Sequence, residues 1–177
     1  MRIVGGKYKG RVLCSFNGKD VRPTSDMVRE SLFNILQFKI IGARFLDLFC
    51  GTGAMGIEAL SRGASTVTFN DSSKESLSLL KSNLQKCKVE EDYQIKNNDA
   101  ITLLSSDCGK FDFIYIDPPY STDLGRKALE KVGERLSDDG VAIYEDERPF
   151  VDEIKGLKIT DTRKYGRAYL MFFSKEV

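Results

Sequence analysis

The sequence predicts an α/β fold, an open and largely parallel sheet with helices on both faces. Three observations carry that expectation. Apolar runs of strand length alternate with stretches of helical periodicity from residue 44 onward. A glycine-rich turn, Asp47-Leu48-Phe49-Cys50-Gly51-Thr52-Gly53-Ala54-Met55-Gly56, closes the first run and opens a helix. A later run, Ile114-Tyr115-Ile116, ends in Asp117-Pro118-Pro119-Tyr120, a combination that folding alone does not require.

Residues 2 to 22 alternate loosely between Gly5-Gly6, Gly10 and Asn17-Gly18, and read as short strands of a small hairpin extension. Pro23-Thr24-Ser25-Asp26 supplies capping chemistry for a helix from about Met27 to Phe38, with Val28, Leu32 and Ile35 on one face. Gly42 marks the break before the core. There the pattern gives a strand over Arg44 to Cys50, a helix over Gly53 to Ser61, a strand over Thr66 to Asn70 and a helix over Lys74 to Cys87. A strand near Tyr93 to Lys96, a short helix from Ala100 and the strand Phe111 to Ile116 follow. The next helix places Leu129, Val132 and Leu136 together. Val141 to Tyr144 is a further strand, and Leu157 to Phe173 reads as two strands turned at Lys164-Tyr165-Gly166.

The 177 residues suit one domain: a basic hairpin extension over 1–22, a covering helix over 23–41 and a catalytic core over 42–177. The longest charge-free stretch, Leu48 to Ile57, is too short to span a bilayer, and no secretory leader is visible, so a cytoplasmic location is expected. Cys14, Cys50, Cys87 and Cys108 match no metal or redox spacing and read as reduced thiols. With no histidine in the chain, the usual general base and most zinc sites are excluded, and no metal is expected. The net charge is only +1, yet residues 1–22 hold Arg2, Lys7, Lys9, Arg11, Lys19 and Arg22 against Asp20 alone. Such an arm suits either phosphate contacts or a solvated hairpin.

The site residues follow from where ligands bind in such sheets, at the carboxyl ends of the strands. Gly51 and Gly53 let the backbone approach a ligand, and the helix behind them offers free amide donors. The glycines alone also satisfy a dinucleotide fingerprint, which leaves a nicotinamide-dependent enzyme open at this point. Asp47 suits a cationic amino-acid group better than a pyrophosphate. Asp71, after the second strand, can accept both hydroxyls of a ribose. Asp99, ahead of Ala100, can receive an adenine amino hydrogen or cap the following helix, and the two uses are compatible. Two consecutive prolines after Asp117 fix the local backbone, and an acceptor cluster beside the Tyr120 ring suits a planar amine.

Asp47 to Gly53, Asp71, Asp99 and Asp117 to Tyr120 resemble, in order, the motifs of S-adenosylmethionine-dependent methyltransferases that modify exocyclic amines. Arg2-Ile3-Val4-Gly5-Gly6, Gly10-Arg11, Arg22-Pro23-Thr24, Val28-Arg29-Glu30-x-Leu32-Phe33 and Lys164-Tyr165-Gly166 are further similar to the bacterial 16S ribosomal RNA (guanine-N(2))-methyltransferase family. Where such enzymes commonly show Glu followed two residues later by Asp, this chain has Asp71 and Ser73.

The resemblance implies a Rossmann-like seven-stranded methyltransferase sheet, S-adenosylmethionine as cofactor, and methylation of a guanine in 16S rRNA or in the assembling small subunit. Asp47, Phe49, Gly51, Gly53, Asp71, Asp99 and Ala100 are then expected at the cofactor. Helix 27 to 38 is expected over its methionine end, with Thr24 nearby. Asp117 and the Pro118 carbonyl would hold the amine beside Pro119, and Tyr120 would stack on an extruded base. Arg2, Lys7, Lys9, Arg11 and Arg22 would hold phosphates. The other readings are an amine methyltransferase acting on DNA adenine or a protein glutamine, and a non-catalytic RNA-binding assembly factor.

Overall fold

Seven strands form one sheet in the order β3-β2-β1-β4-β5-β7-β6 in the computed structural model, which describes residues 1–16 and 23–176, without the side chains of residues 23–25. Lys19, Arg22 and the side chain of Thr24 therefore lie outside the described residues. The strands are β1 (Arg44–Asp47), β2 (Thr66–Asn70), β3 (Asp92–Lys96), β4 (Phe111–Ile116), β5 (Leu136–Asp146), β6 (Leu157–Tyr165) and β7 (Ala168–Lys175). The helices are α1 (Pro23–Leu36), α2 (Ala54–Ser61), α3 (Lys74–Lys86), α4 (Ala100–Ser105) and α5 (Leu124–Val132). β1 to β5 pair in parallel, whereas β7 runs antiparallel to both β5 and β6.

Successive side chains of a strand point to opposite faces, so strands covered on both sides must be apolar throughout. Phe45, Phe113, Tyr115 and Phe172 enter one core with α1, α2 and α3. Leu46, Ile114, Ile116 and Phe173 enter another with α4 and α5. The chain moves outward from β1 through β2 to β3, then returns to β4 on the other side of β1. A crevice opens at such a reversal, at the carboxyl ends of β1 and β4. All four cysteines are free thiols.

Several expected boundaries move: the first helix runs over Pro23–Leu36 instead of from about Met27 to Phe38, and the strand expected over Val141 to Tyr144 runs over Leu136–Asp146. β1 stops at Asp47, although Leu48 and Cys50 still donate to Tyr115 O and Asn70 O at 3.1 and 2.8 Å while the chain curls into the glycine turn. Leu136 is not on the fifth helix. Gly133, a poor helix former, begins a 3-10 turn after Val132, and Leu136 pairs with Phe111 as the first residue of β5 while remaining buried.

Of the expected short strands, the described residues of the N-terminal arm keep a single antiparallel bridge, Arg2 with Val12. Ile3, Tyr8 and Leu13 are buried, so the arm lies against the body instead of projecting from it. Gly6 makes this possible: its φ is 75°, and a Cβ there would fall 1.8 Å from Ser61 O. The fixing groups come from α2 and α3. Glu58, with no exposure, accepts from Val4 N and Gly5 N at 2.9 and 2.8 Å, and from Arg62 Nε at 2.8 Å. Its Oε2 lies 3.4 Å from Arg29 Nε of α1. Asn83 accepts from Cys14 N at 2.7 Å and donates to Cys14 O and Thr52 O at 3.1 and 2.9 Å.

Removing one partner of a buried ion pair leaves the other charge uncompensated. Glu58→Ala is therefore expected to lower stability by about 3–5 kcal/mol in equilibrium denaturation. Wild-type stability in that variant would contradict the anchoring role.

Candidate active site

Asp47 ends β1 and is 1% exposed. Its Oδ2 accepts the Gly56 N–H at 3.0 Å, which ties the strand end to the first turn of α2. Burial is the main reason its carboxyl is pushed up to about 7, with Asp71 adding to the shift and the Gly56 N–H opposing it. Gly53 stands at the N-cap of α2 with φ 83°, a conformation that favours glycine. A Cβ on Gly56 would fall 2.3 Å from the buried Phe69 ring, so α2 rests directly on β2.

Asn70 at the end of β2 is 1% exposed, and its amide donates to Leu48 O and Asn98 O, both at 3.1 Å. One side chain thus holds the loops after β1, β2 and β3 together. Asp71 accepts from Gly51 N at 2.9 Å and from Ser73 N at 2.8 Å. It shapes the glycine turn as well as facing the crevice, and Ser73 caps α3 by accepting from Ser76 N at 3.2 Å. Asp99 caps α4 by accepting from Ile101 N and Thr102 N, both at 3.0 Å.

Two cavities open at the carboxyl ends of these strands. One, of about 270 Å³, is lined by Arg29, Asp47, Gly51, Met55, Asp117 and Glu145 among others. The second, of about 320 Å³, is lined by Asp71, Asp99, Ala100, Pro118, Pro119 and Tyr120 among others. Phe49 and Asp117 border both. The expected residues Asp47, Phe49, Gly51, Asp71, Asp99, Ala100 and Asp117 to Tyr120 thus surround one continuous crevice. Gly53 supports the turn behind it.

Asp117 is held well above the usual carboxylate range, chiefly by burial and then by Glu145, Asp47 and Asp146. Burial also raises Glu145, which is partly offset by the Tyr115 hydroxyl that donates to it. Tyr120 stands at the mouth, 59% exposed, where an incoming ring can reach it. Behind it the turn is fixed by Thr122 Oγ1, which donates to Pro119 O at 2.8 Å.

Glu145, Tyr115 and Arg29 were not among the expected site residues. The signal for Glu145 was present: it lies in the acidic end of an apolar strand, as Asp47 and Asp117 do. The arm residues divide. Arg2 and Lys9 are exposed. Lys7 pairs with Glu90 and Glu91 at 2.9 and 3.0 Å, and the Arg11 guanidinium sits 4.5 Å from the centre of the Tyr8 ring.

Parallel strands β1 to β5 with an antiparallel β7 inserted before β6, an acid-lined crevice at the strand ends and Asp-Pro-Pro-Tyr after β4 define an S-adenosylmethionine-dependent methyltransferase. A family described as conserved hypothetical protein 95 matches residues 1–174, and the chain belongs to that family. It is 34% identical to "Putative rRNA methyltransferase YlbH" of Bacillus subtilis over 99% of both chains. It is 38% identical to Ribosomal RNA small subunit methyltransferase D of Haemophilus influenzae over 76% of this chain and 71% of that protein. A solved structure, "Putative methyltransferase yhhF from Escherichia coli", superposes with a TM-score of 0.86 at 27% identity over 99% of this chain and 98% of that one.

A cationic ligand favours the ionised form of Asp47, so binding releases a proton below the carboxyl's own pKa of about 7. Affinity for S-adenosylhomocysteine, whose ammonium is the cation, should rise with pH between about 5.5 and 7 by up to about tenfold per unit for the Asp47 proton. Asp47→Asn should reduce that slope in calorimetric titrations. An unchanged slope would remove Asp47 from the ligand's ammonium.

Proposed function

We propose that the protein methylates the exocyclic amine of a guanine in 16S ribosomal RNA, with S-adenosylmethionine as methyl donor. The observation that carries this reading is the place of Asp117, which borders both cavities and begins the Asp-Pro-Pro-Tyr turn. The residues present fit the cofactor. Asp47, Asp117 and Glu145 suit a ligand bearing ammonium and sulfonium charges, and a Cβ on Gly51 would meet nothing within 4 Å, so the space beside the glycine turn is open. Asp47 would hold the amino-acid end. Asp71 and Asp99 would hold the ribose and base, each with one oxygen or lone pair beyond its backbone contacts.

When bound, S-adenosylmethionine supplies an electrophilic methyl on sulfur. The chain's own residues supply position and proton acceptance. A guanine amine is a poor nucleophile because its lone pair is delocalised into the ring. Asp117 and the Pro118 carbonyl would accept its two hydrogens and turn that lone pair toward the crevice, a gain from orientation. As the new carbon–nitrogen bond forms, nitrogen gains positive charge and must lose one proton. Asp117 lies beside it, and a carboxylate of raised pKa is the stronger base. Tyr120 would stack on the extruded guanine, because the amine of a paired base is hidden.

Arg2 and Lys9 would contact phosphates around the target. Lys7 can join them, since exposed ion pairs such as those with Glu90 and Glu91 are worth little and give way to a polyanion. Relatives named as small-subunit rRNA methyltransferases support RNA as the substrate. On this reading the enzyme would act in the cytoplasm on the assembling subunit.

Mass mapping of small-subunit RNA from cells lacking the protein should show one missing methylguanosine. A complete set of modifications there, with methyl transfer to DNA or to a glutamine side chain in vitro, would replace this reading. Asp117→Ala should lower single-turnover methylation of unmodified subunits by at least about 10²-fold while cofactor binding persists. Tyr120→Ala should cost about 1–3 kcal/mol in kcat/KM, about 5- to 150-fold.

A further inference from the structure

We propose that Arg29 receives the carboxylate at the amino-acid end of the cofactor, an assignment that rests on the S-adenosylmethionine reading. The inference begins with charge. Among the described residues that line the cavity of about 270 Å³, Arg29 has the single cationic side chain, and the acids are Asp47, Asp117 and Glu145. A methionine end carries an ammonium, a sulfonium and a carboxylate. The first two are attracted by the three acids, which repel the third. Among the described side chains of that lining, Arg29 offers the carboxylate an opposite charge.

Burial and hydrogen bonding strengthen the case. Arg29 is 2% exposed, deep for a residue type that is almost never fully buried unless paired. Nη2 donates to Arg2 O and to Asp26 Oδ1, both at 2.7 Å. Nε lies 3.4 Å from Glu58 Oε2 and makes no hydrogen bond there. The guanidinium is thus held on one side by Arg2, Asp26 and Glu58 and borders the cavity on another. That arrangement fixes its plane before a ligand arrives, and with both Nη2 hydrogens taken by Arg2 O and Asp26, Nη1 is the nitrogen left to make a charge-assisted bond to a carboxylate. Arg29 would bind and orient the cofactor rather than take part in the transfer.

The role also gives the arm a place in cofactor binding. Arg2 contributes the carbonyl that holds Arg29, and Glu58 holds both Arg29 and the backbone of Val4 and Gly5. The segment expected to meet RNA therefore helps to aim the group that meets the cofactor.

The test is calorimetric titration of the full-length wild type, Arg29→Met and Arg29→Lys with S-adenosylmethionine and with decarboxylated S-adenosylmethionine, which keeps the ammonium and sulfonium. Arg29→Met is expected to weaken binding of the complete cofactor by about 10- to 100-fold, as loss of a charge-assisted pair would. Arg29→Lys should lie between. The decarboxylated compound should bind wild type more weakly than the complete cofactor, and Arg29→Met should weaken it little further.

Equal losses for both compounds would overturn the proposal in favour of a purely structural arginine, and so would an unchanged affinity for the complete cofactor. Thermal unfolding identifies variants that fold, and Arg29→Lys, which keeps a cation beside Glu58, carries the comparison where Arg29→Met does not fold. Failure of the wild type to bind either compound would instead overturn the cofactor reading itself.

Discussion

Donors from three parts of the chain meet at Glu58. It sits on α2, a helix otherwise made of Ala, Met, Gly, Ile, Leu and Ser, and it has no exposure. An ionised carboxylate removed from water is tolerated only when its oxygens are occupied. Here the occupants are the N–H groups of Val4 and Gly5 from the arm and Arg62 from the end of α2, with the Arg29 guanidinium of α1 close by. The arm and α2 are otherwise remote in the chain, with 54 and 53 residues separating the paired positions. Met1 and Phe16 of the arm and Val28 and Arg29 of α1 form part of the cavity wall. The crevice belongs to the sheet, but its enclosure follows from one charge that must be satisfied.

The acids of the crevice work by a different rule. Asp47 and Asp117 end neighbouring parallel strands, and Glu145 lies near the end of the next, so pairing in register brings three carboxyl groups to one opening. Burial raises all three, and the charges of Glu145 and Asp47 raise Asp117 further. A site in this condition favours a cation, because a positive ligand relieves both the repulsion and the cost of ionisation. It also favours a group that gives up a proton. On the proposed reading the same electrostatic arrangement would serve binding and chemistry, and Tyr115, whose hydroxyl donates to Glu145, steadies that acid without adding charge.

Much of this was legible in the sequence, and the boundary of legibility is physical. The bounds of β2 and β4 were readable because short runs rich in β-branched and aromatic residues, Thr66 to Phe69 and Phe111 to Ile116, stop at turn-forming residues. Asp47, Asp71, Asp99 and Asp117 were readable because each acid follows or ends such a run. Glu145 obeyed the same rule, but the expected strand stopped one residue short of it. Leu136 followed the helical spacing of Leu129 and Val132, and only the pairing of its backbone with Phe111 places it on a strand. Asn70 and Asn83 could not be recognised, since each joins loops far apart in the chain. Glu58 was detectable as a lone charge in an apolar helix, but its partners lie 53 and 54 residues away.

The arm shows why charge counting alone misleads. Its excess of basic residues reads as a surface for phosphate, yet Ile3, Tyr8 and Leu13 bury it against α2 and α3, and Glu91 takes up both the Lys7 ammonium and the Tyr8 hydroxyl. A segment anchored in this way cannot sweep freely for RNA. It presents Arg2 and Lys9 from a fixed position while its backbone holds Glu58 and Arg29 in place. An RNA that engages those exposed cations meets a surface already built into the wall of the cofactor cavity. On the proposed reading, recognition of the polyanion and enclosure of the methyl donor would depend on the same buried anchor.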